Sequence, residues 1–241
     1  MKRLLSTGIA IALLLGLGIL AVLARPGGGA LLGAPRSAAA PALSQLPAAV
    51  TGAAPAATAN WNAIAMALDN TATLPDAQAL AQAITGTQQV LQWNAAAQAF
   101  DAYIPDPVFP GGLGTNFALQ LGQPYMVQVG NTAPSVFSLV GDVPPQTGQT
   151  GAVQFSLLGG SPCQWNFISL PLDQGSITTA QQLADAIGNV EQVLQWNAAT
   201  SVQAFDAYIP DPVFPGGLGT NFSTHIGYPY FVCMATSKSW P

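Results

Sequence analysis

Twenty consecutive residues, QAFDAYIPDPVFPGGLGTNF, occur twice without a substitution, from Gln98 to Phe117 and again from Gln203 to Phe222. A chain that assembles one active site from its whole length rarely needs the same segment twice, whereas a modular protein reuses one folding unit. The likeness extends beyond the identical block. Asn60-Trp61-Asn62-Ala63-Ile64 lines up with Gln164-Trp165-Asn166-Phe167-Ile168, and Leu80 and Ile84 line up with Leu183 and Ile187. VLQWNAA is shared at Val90 and Val193, and LGQPYMVQV from Leu121 answers IGYPYFVCM from Ile226. The repeat covers about seventy residues with a period of about 104.

Periodicity predicts the same order of elements in each copy. WNFISLPL alternates apolar and polar residues before a proline-containing turn and reads as a strand. SITTAQQLADAIG places Ser and Thr before the i, i+4 pair Leu183 and Ile187 and a Gly after it, the pattern of a short amphipathic helix. VEQVLQW and QAFDAYI form a predicted hairpin, DPVFPGGLGT a proline-stiffened loop, and NFSTHIG with YPYFVCM two closing strands. The hairpin turn is two residues longer in copy two (Asn197–Gln203) than in copy one (Asn94–Gln98). Because side chains alternate faces with a period of two, an insertion of two leaves the buried face of each strand unchanged. The expected fold class is therefore α+β: two tandem small β-rich modules, each a mostly antiparallel sheet with one short helix and an interior of its own aromatic side chains.

The modules are expected at 60–130 and 163–241. Residues 1–24, two cations followed by a long apolar run, have the form of a signal peptide or, uncleaved, a signal anchor that would be the only membrane contact. Residues 25–59 are rich in Ala, Pro and Gly and read as a disordered tether. Between the modules, 131–162 contains SVFSLVGDV and AVQFSLLGG, each with a strand-like apolar core, expected to pair with each other or to complete a neighbouring sheet. No equivalent of SVFSLVGDV follows copy two, so a module closed by such a strand would there present an unpaired edge. An edge of that kind accepts a strand from another molecule.

Charge narrows the partners. Charged residues are 6% of the chain, against about 25% in ordinary soluble domains. From Trp61 onward ten carboxylates face Lys238 alone, a formal charge of −10 + 1 = −9. That excludes a basic phosphate-tracking surface and hence nucleic acid as a partner.

Cys163 and Cys233 both belong to copy two, and their counterparts are Ala59 and Gln128. Both differ together, as a covalent pair would, so a disulfide is expected in an exported chain located outside the cell or at its surface. It would close a loop of about seventy residues and contribute about 4 kcal/mol in the chain-entropy picture. Two cysteines and the single histidine, His225, do not make a closed zinc site. No Gly-x-Ser-x-Gly elbow accompanies His225, and PGGLGTNF lacks the Lys-Ser/Thr ending of a phosphate loop. The repeated carboxylates Asp69/Asp173, Asp101/Asp206 and Asp106/Asp211 match no EF-hand spacing, and the last pair stand in Asp-Pro steps that commonly close turns. No catalytic residue, metal or cofactor is assigned. The repeated aromatics Trp93, Tyr103, Trp196 and Tyr208 are read first as core, with a sugar-stacking platform as the second reading.

Taken together, Trp-Asn-x-Ile-Ser-x-Pro-Leu, a short helix, Val-Leu-Gln-Trp-Asn, Phe-Asp-Ala-Tyr, Asn-Phe and Gly-x-Pro-Tyr-Phe-Val resemble a repeat found in tandem in secreted and cell-surface bacterial proteins. Copy two follows the pattern along its length, and copy one departs at Ala65, Ala67 and Met126. The resemblance implies an extracellular, non-catalytic module. The expected function is that of a secreted or surface-tethered structural protein, a filament or surface-layer subunit that associates with itself or other surface proteins by strand exchange. The alternative is a carbohydrate-binding or adhesive module with duplicated sites.

Overall fold

The computed structural model describes residues 60–130, 137–199 and 203–241; the expected export segment and tether lie outside the described residues. Copy one supplies β1 (Asn60–Ala65), α1 (Ala77–Ala83), β2 (Thr87–Asn94), β3 (Ala99–Ile104), β4 (Leu113–Gly114) and β5 (Pro124–Val129). These strands form an antiparallel sheet in the order β1-β5-β2-β3-β4. After β6 (Phe155–Leu157), copy two supplies β7 (Gln164–Ser169), α2 (Ala180–Ile187), β8 (Val190–Asn197), β9 (Ala204–Ile209), β10 (Leu218–Gly219) and β11 (Pro229–Met234). Its sheet, β10-β9-β8-β11-β7, has the same order read from the other edge, and β12 (Lys238–Trp240) pairs separately with β6. The β-rich α+β class is thus as expected.

The local signals behave as their chemistry requires. Thr179 caps α2 by accepting from Gln182 N, and Gly188 ends it at φ 73°, in the left-handed region that favours glycine. Lys238 donates through Nζ to the carbonyl of Ile187, placing a cation at the negative end of the helix. In the hairpins Trp93 lies opposite Phe100 and Trp196 opposite Phe205, so the two-residue insertion leaves the register intact.

Three expectations change. NFSTHIG is not a strand, because its polar groups are spent on the start of α2. Ala180 N donates to Phe222 O at 2.9 Å, Gln181 N to Asn221 Oδ1 at 2.9 Å, and Thr224 Oγ1 to Ile177 O at 2.9 Å. Among the described residues of the two segments between the copies, only AVQFSLLGG yields a strand, and its partner is the Lys238–Trp240 end rather than SVFSLVGDV. The aromatic interiors, finally, are not separate.

Each sheet has two apolar faces, and a helix of two turns covers only one. On the helix side of copy one, Leu80 and Ile84 pack with Val90, Tyr103, Tyr125 and Val127; Leu183, Ile187, Val193, Tyr208, Tyr230 and Val232 repeat this in copy two. The alternate residues along the same strands, Leu91, Trp93 and Met126, point the other way and meet Phe167 and Phe231 of copy two. The result is four layers, helix, sheet, sheet, helix. Phe231 sits at the centre of the joint core, stacked on Phe167 at 4.1 Å and edge-on to Trp93 at 5.4 Å and Phe205 at 5.6 Å.

The two sheets are also joined by reciprocal hydrogen bonds. Trp93 Nε1 donates to Trp165 O at 3.0 Å, and Trp196 Nε1 donates to Trp61 O at 2.9 Å. Trp165 N donates to Gln98 Oε1 at 2.9 Å, and Trp61 N donates to Gln203 Oε1 at 2.8 Å. Both glutamines hold positive φ, 51° and 44°, which aims their amides across the sandwich at the edge strand of the other copy. An edge backbone is satisfied without a neighbouring strand, which manages the exposed-edge liability.

Candidate functional site

The identical block folds alike in both copies, and its loop is held from several sides. Asp106 Oδ1 accepts from Val108 N at 2.7 Å and Phe109 N at 2.9 Å; Asp211 Oδ1 accepts from Val213 N at 2.7 Å and Phe214 N at 3.0 Å. These are the Asp-Pro turns anticipated from the sequence. Gln78 ties the loop to α1 by donating from Nε2 to Pro110 O at 2.9 Å and from its backbone to Asn116 Oδ1 at 2.9 Å. Gln181 does the same to Pro215 and Asn221. The returning chain passes over a buried tyrosine. At Gly112, φ 69°, a Cβ would lie 2.5 Å from the Tyr103 ring, and at Gly217, φ 68°, it would lie 2.5 Å from that of Tyr208. Only glycine fits there.

What this frame presents is apolar. Val108 and Phe109 are 75% and 57% exposed, Val213 and Phe214 76% and 56%, and Leu113 and Leu218 beside them are also exposed. Single exposed apolar residues are ordinary, but a cluster repeated on two anchored loops marks an interaction surface. Prolines and a side-chain-closed turn also reduce the conformational freedom such a loop would lose on binding.

The residues singled out from the sequence fall elsewhere. Cys163 and Cys233 form the expected disulfide, Cα atoms 5.5 Å apart, stapling the start of β7 to β11. A disulfide belongs to an oxidising, extracellular type of compartment. Among the described residues no helix is long and apolar enough to cross a membrane. Trp93, Tyr103 and Tyr208 are buried and Trp196 is half-buried, with both indole N–H groups used between the sheets. Burial first, and the nearby carboxylates of Asp76 and Asp185 second, push the hydroxyls of Tyr103 and Tyr208 above their ordinary range. The fold thus uses these rings as interior.

The paired carboxylates do not converge. Asp101 and Asp206 accept from Asn94 and Asn197 on the neighbouring strands, Asp69 from Thr71, and Asp173 from Thr147 N at 2.6 Å. That last bond is the main reason the Asp173 carboxyl lies below its ordinary range. Among the described residues no group of three or more His, Cys, Asp or Glu is placed to hold a metal ion. His225 is exposed in a turn rather than on a strand, its ring 5.2 Å from that of Tyr228. A groove lined by Val143, Pro144, Pro145, Val153 and Pro171 contains one carboxylate, Asp173, already engaged by Thr147.

The Val-Phe tips are in plain view in the sequence, inside a segment that reads there as a proline-stiffened loop. The missed signal was positional: two large apolar residues between prolines, in a segment with neither strand nor helix period, have no sheet face or helix stripe to enter. In comparisons with known proteins, no protein family, no curated protein and no solved structure matches this chain.

Proposed function

We propose that this chain is a secreted or surface-tethered structural protein, without a catalytic role, that assembles with further copies of itself. The observation carrying this reading is the pair of anchored Pro-Asp-Pro-Val-Phe-Pro loops, each holding a Val and a Phe out in solvent. Burying one such Phe in a partner contributes about 1.5–3 kcal/mol, and two loops on one body let the contact propagate from molecule to molecule. The scarcity of charge favours the same reading, because few like charges oppose close packing. The tandem-repeat resemblance and the disulfide fit an extracellular setting.

The test is sedimentation and electron microscopy of the purified chain over a range of concentration and pH, with Phe109→Asp and Phe214→Asp combined. The expected result is concentration-dependent assembly that the double variant weakens while keeping its thermal transition. Dispersed wild-type monomers throughout would overturn the proposal. The glycan-binding alternative rested on the ring platform. A glycan array probes it, with Trp196→Ala losing binding but keeping its fold as the outcome that would favour it.

A further inference from the structure

The two copies differ in how the outer strand on the disulfide side, β7, and its counterpart β1 are covered. In copy two the cover is Phe155-Ser156-Leu157-Leu158-Gly159. Phe155 and Leu157 are buried in the helix-side core, and Asn166 on β7 grips the next residue by both backbone groups. Leu158 N donates to Asn166 Oδ1 at 2.8 Å, and Asn166 Nδ2 donates to Leu158 O at 2.8 Å. Asn166 is only 3% exposed as a result. Its side chain serves as a strand-like hydrogen-bonding partner.

Copy one has the same clamp, which holds no neighbouring segment among the described residues. Asn62 on β1 faces Val127 on β5 as Asn166 faces Val232 on β11. Asn62 Nδ2 donates to Asn60 O at 3.2 Å, as Asn166 Nδ2 does to Gln164 O at 3.1 Å, and makes no other hydrogen bond among the described residues. Around it, Ile64 and Val129 are half-buried where their counterparts Ile168 and Met234 are fully buried.

The chain also carries a second segment of the kind this clamp holds. Phe137-Ser138-Leu139-Val140-Gly141 matches Phe155–Gly159 at every position but one, Val140 for Leu158. Phe137 and Leu139 are only half-buried against the core of their own copy, and Val140, the counterpart of Leu158, is 76% exposed. Its backbone makes no hydrogen bond among the described residues. The next tie, between Asp142 and Asp69 at 2.8 and 3.0 Å, fixes the downstream end of the segment past the C-terminal end of β1, whereas Asn62 lies near the start of that strand. Among the described residues, one molecule therefore displays both halves of an interaction that it completes in copy two alone.

We infer that Phe137–Gly141 of one molecule docks along β1 of a second copy of this chain, with the backbone of Val140 held by Asn62. Phe137 and Leu139, which within one molecule pack against the same core as Ile64 and Val129, are thereby exchanged onto those residues of the second copy, as Phe155 and Leu157 share a core with Ile168 and Met234. The inference rests on the assembly reading above and adds a second contact to the loops: an extended segment docked beside an edge strand, held by an edge side chain, with apolar pockets setting register. Mutual exchange closes a dimer, and head-to-tail exchange extends a filament.

Complementation tests this with the purified full chain. Asn62→Ala removes the clamp and Val140→Pro removes the donated N–H, each leaving the other half intact. Each variant alone is expected to associate at least about ten-fold more weakly than wild type in sedimentation equilibrium, the loss of about 1.4 kcal/mol. A one-to-one mixture is expected to regain a mixed dimer, and unchanged thermal transitions exclude misfolding. Wild-type association retained in either variant, or no recovery on mixing, would overturn the strand exchange while leaving assembly through the loops standing. A monomeric wild type would remove both.

Discussion

The two copies share a fold and differ in how it is finished. Copy two is closed covalently by Cys163–Cys233, covered at β7 by Leu158, and contributes Phe167 and Phe231 to the joint core. Copy one has Gln128 where Cys233 stands, Ala63 and Met126 where those phenylalanines stand, and a half-exposed Asn62. The shared parts are those each copy needs to fold and to grip the other. The differing parts decide which edge is sealed. Among the described residues, one half is a finished unit and the other leaves its outer strand without such a cover.

That contrast breaks most readily at the joint core. Phe231→Ala removes the ring on which both sheets converge and is expected to lower stability by about 3–5 kcal/mol, read by denaturant titration as a single cooperative loss. Two separated transitions would show the halves to be energetically independent. Replacing both cysteines by alanine is expected to cost about 2–4 kcal/mol, with the earliest hydrogen-exchange opening at β7 and β11 and little change in β1. The clamp sharpens the comparison further: Asn166→Ala removes both hydrogen bonds to the backbone of Leu158 and is expected to cost about 1–3 kcal/mol. Asn62→Ala in the monomer is expected to fall within about 0.5 kcal/mol of wild type.

The smallest difference between copies is expected at alkaline pH. Burial pushes the hydroxyls of Tyr125 and Tyr230 up to about 12, only partly offset by the backbone N–H of Gln120 and of His225 that each accepts. Between about pH 10, where an unfolded tyrosine ionises, and about 12, the unfolded chain loses these protons first. Stability is then full below pH 10 and falls as pH rises through that window. Tyr125→Phe and Tyr230→Phe are each expected to shift the alkaline unfolding midpoint upward by similar amounts. A shift in only one would mean that the two helix-side cores differ in hydration.

Much of the site could be read in advance, though not its use. Asp106 and Asp211 were legible as turn-closing residues because Asp-Pro chemistry is local. Phe109 and Phe214 were not legible as exposed, because exposure depends on what the rest of the chain leaves uncovered. Gln98 and Gln203 stood at the head of the identical block, yet nothing local gave them a role, since their partners Trp165 and Trp61 are 67 and 142 residues away.

By itself the sequence determined the twofold repetition, the strand and capped-helix pattern of each copy, the tolerance of the hairpin insertion and the cysteine pair. All of these rest on neighbours along the chain or on simple alternation of faces. Only the tertiary structure decided that the two sheets lie against each other, that the Trp and Phe side chains share one interior, and that β7 has a clamped cover that β1 lacks among the described residues. Period-two alternation states that a strand has two faces. What covers each face depends on surfaces brought together from distant parts of the chain.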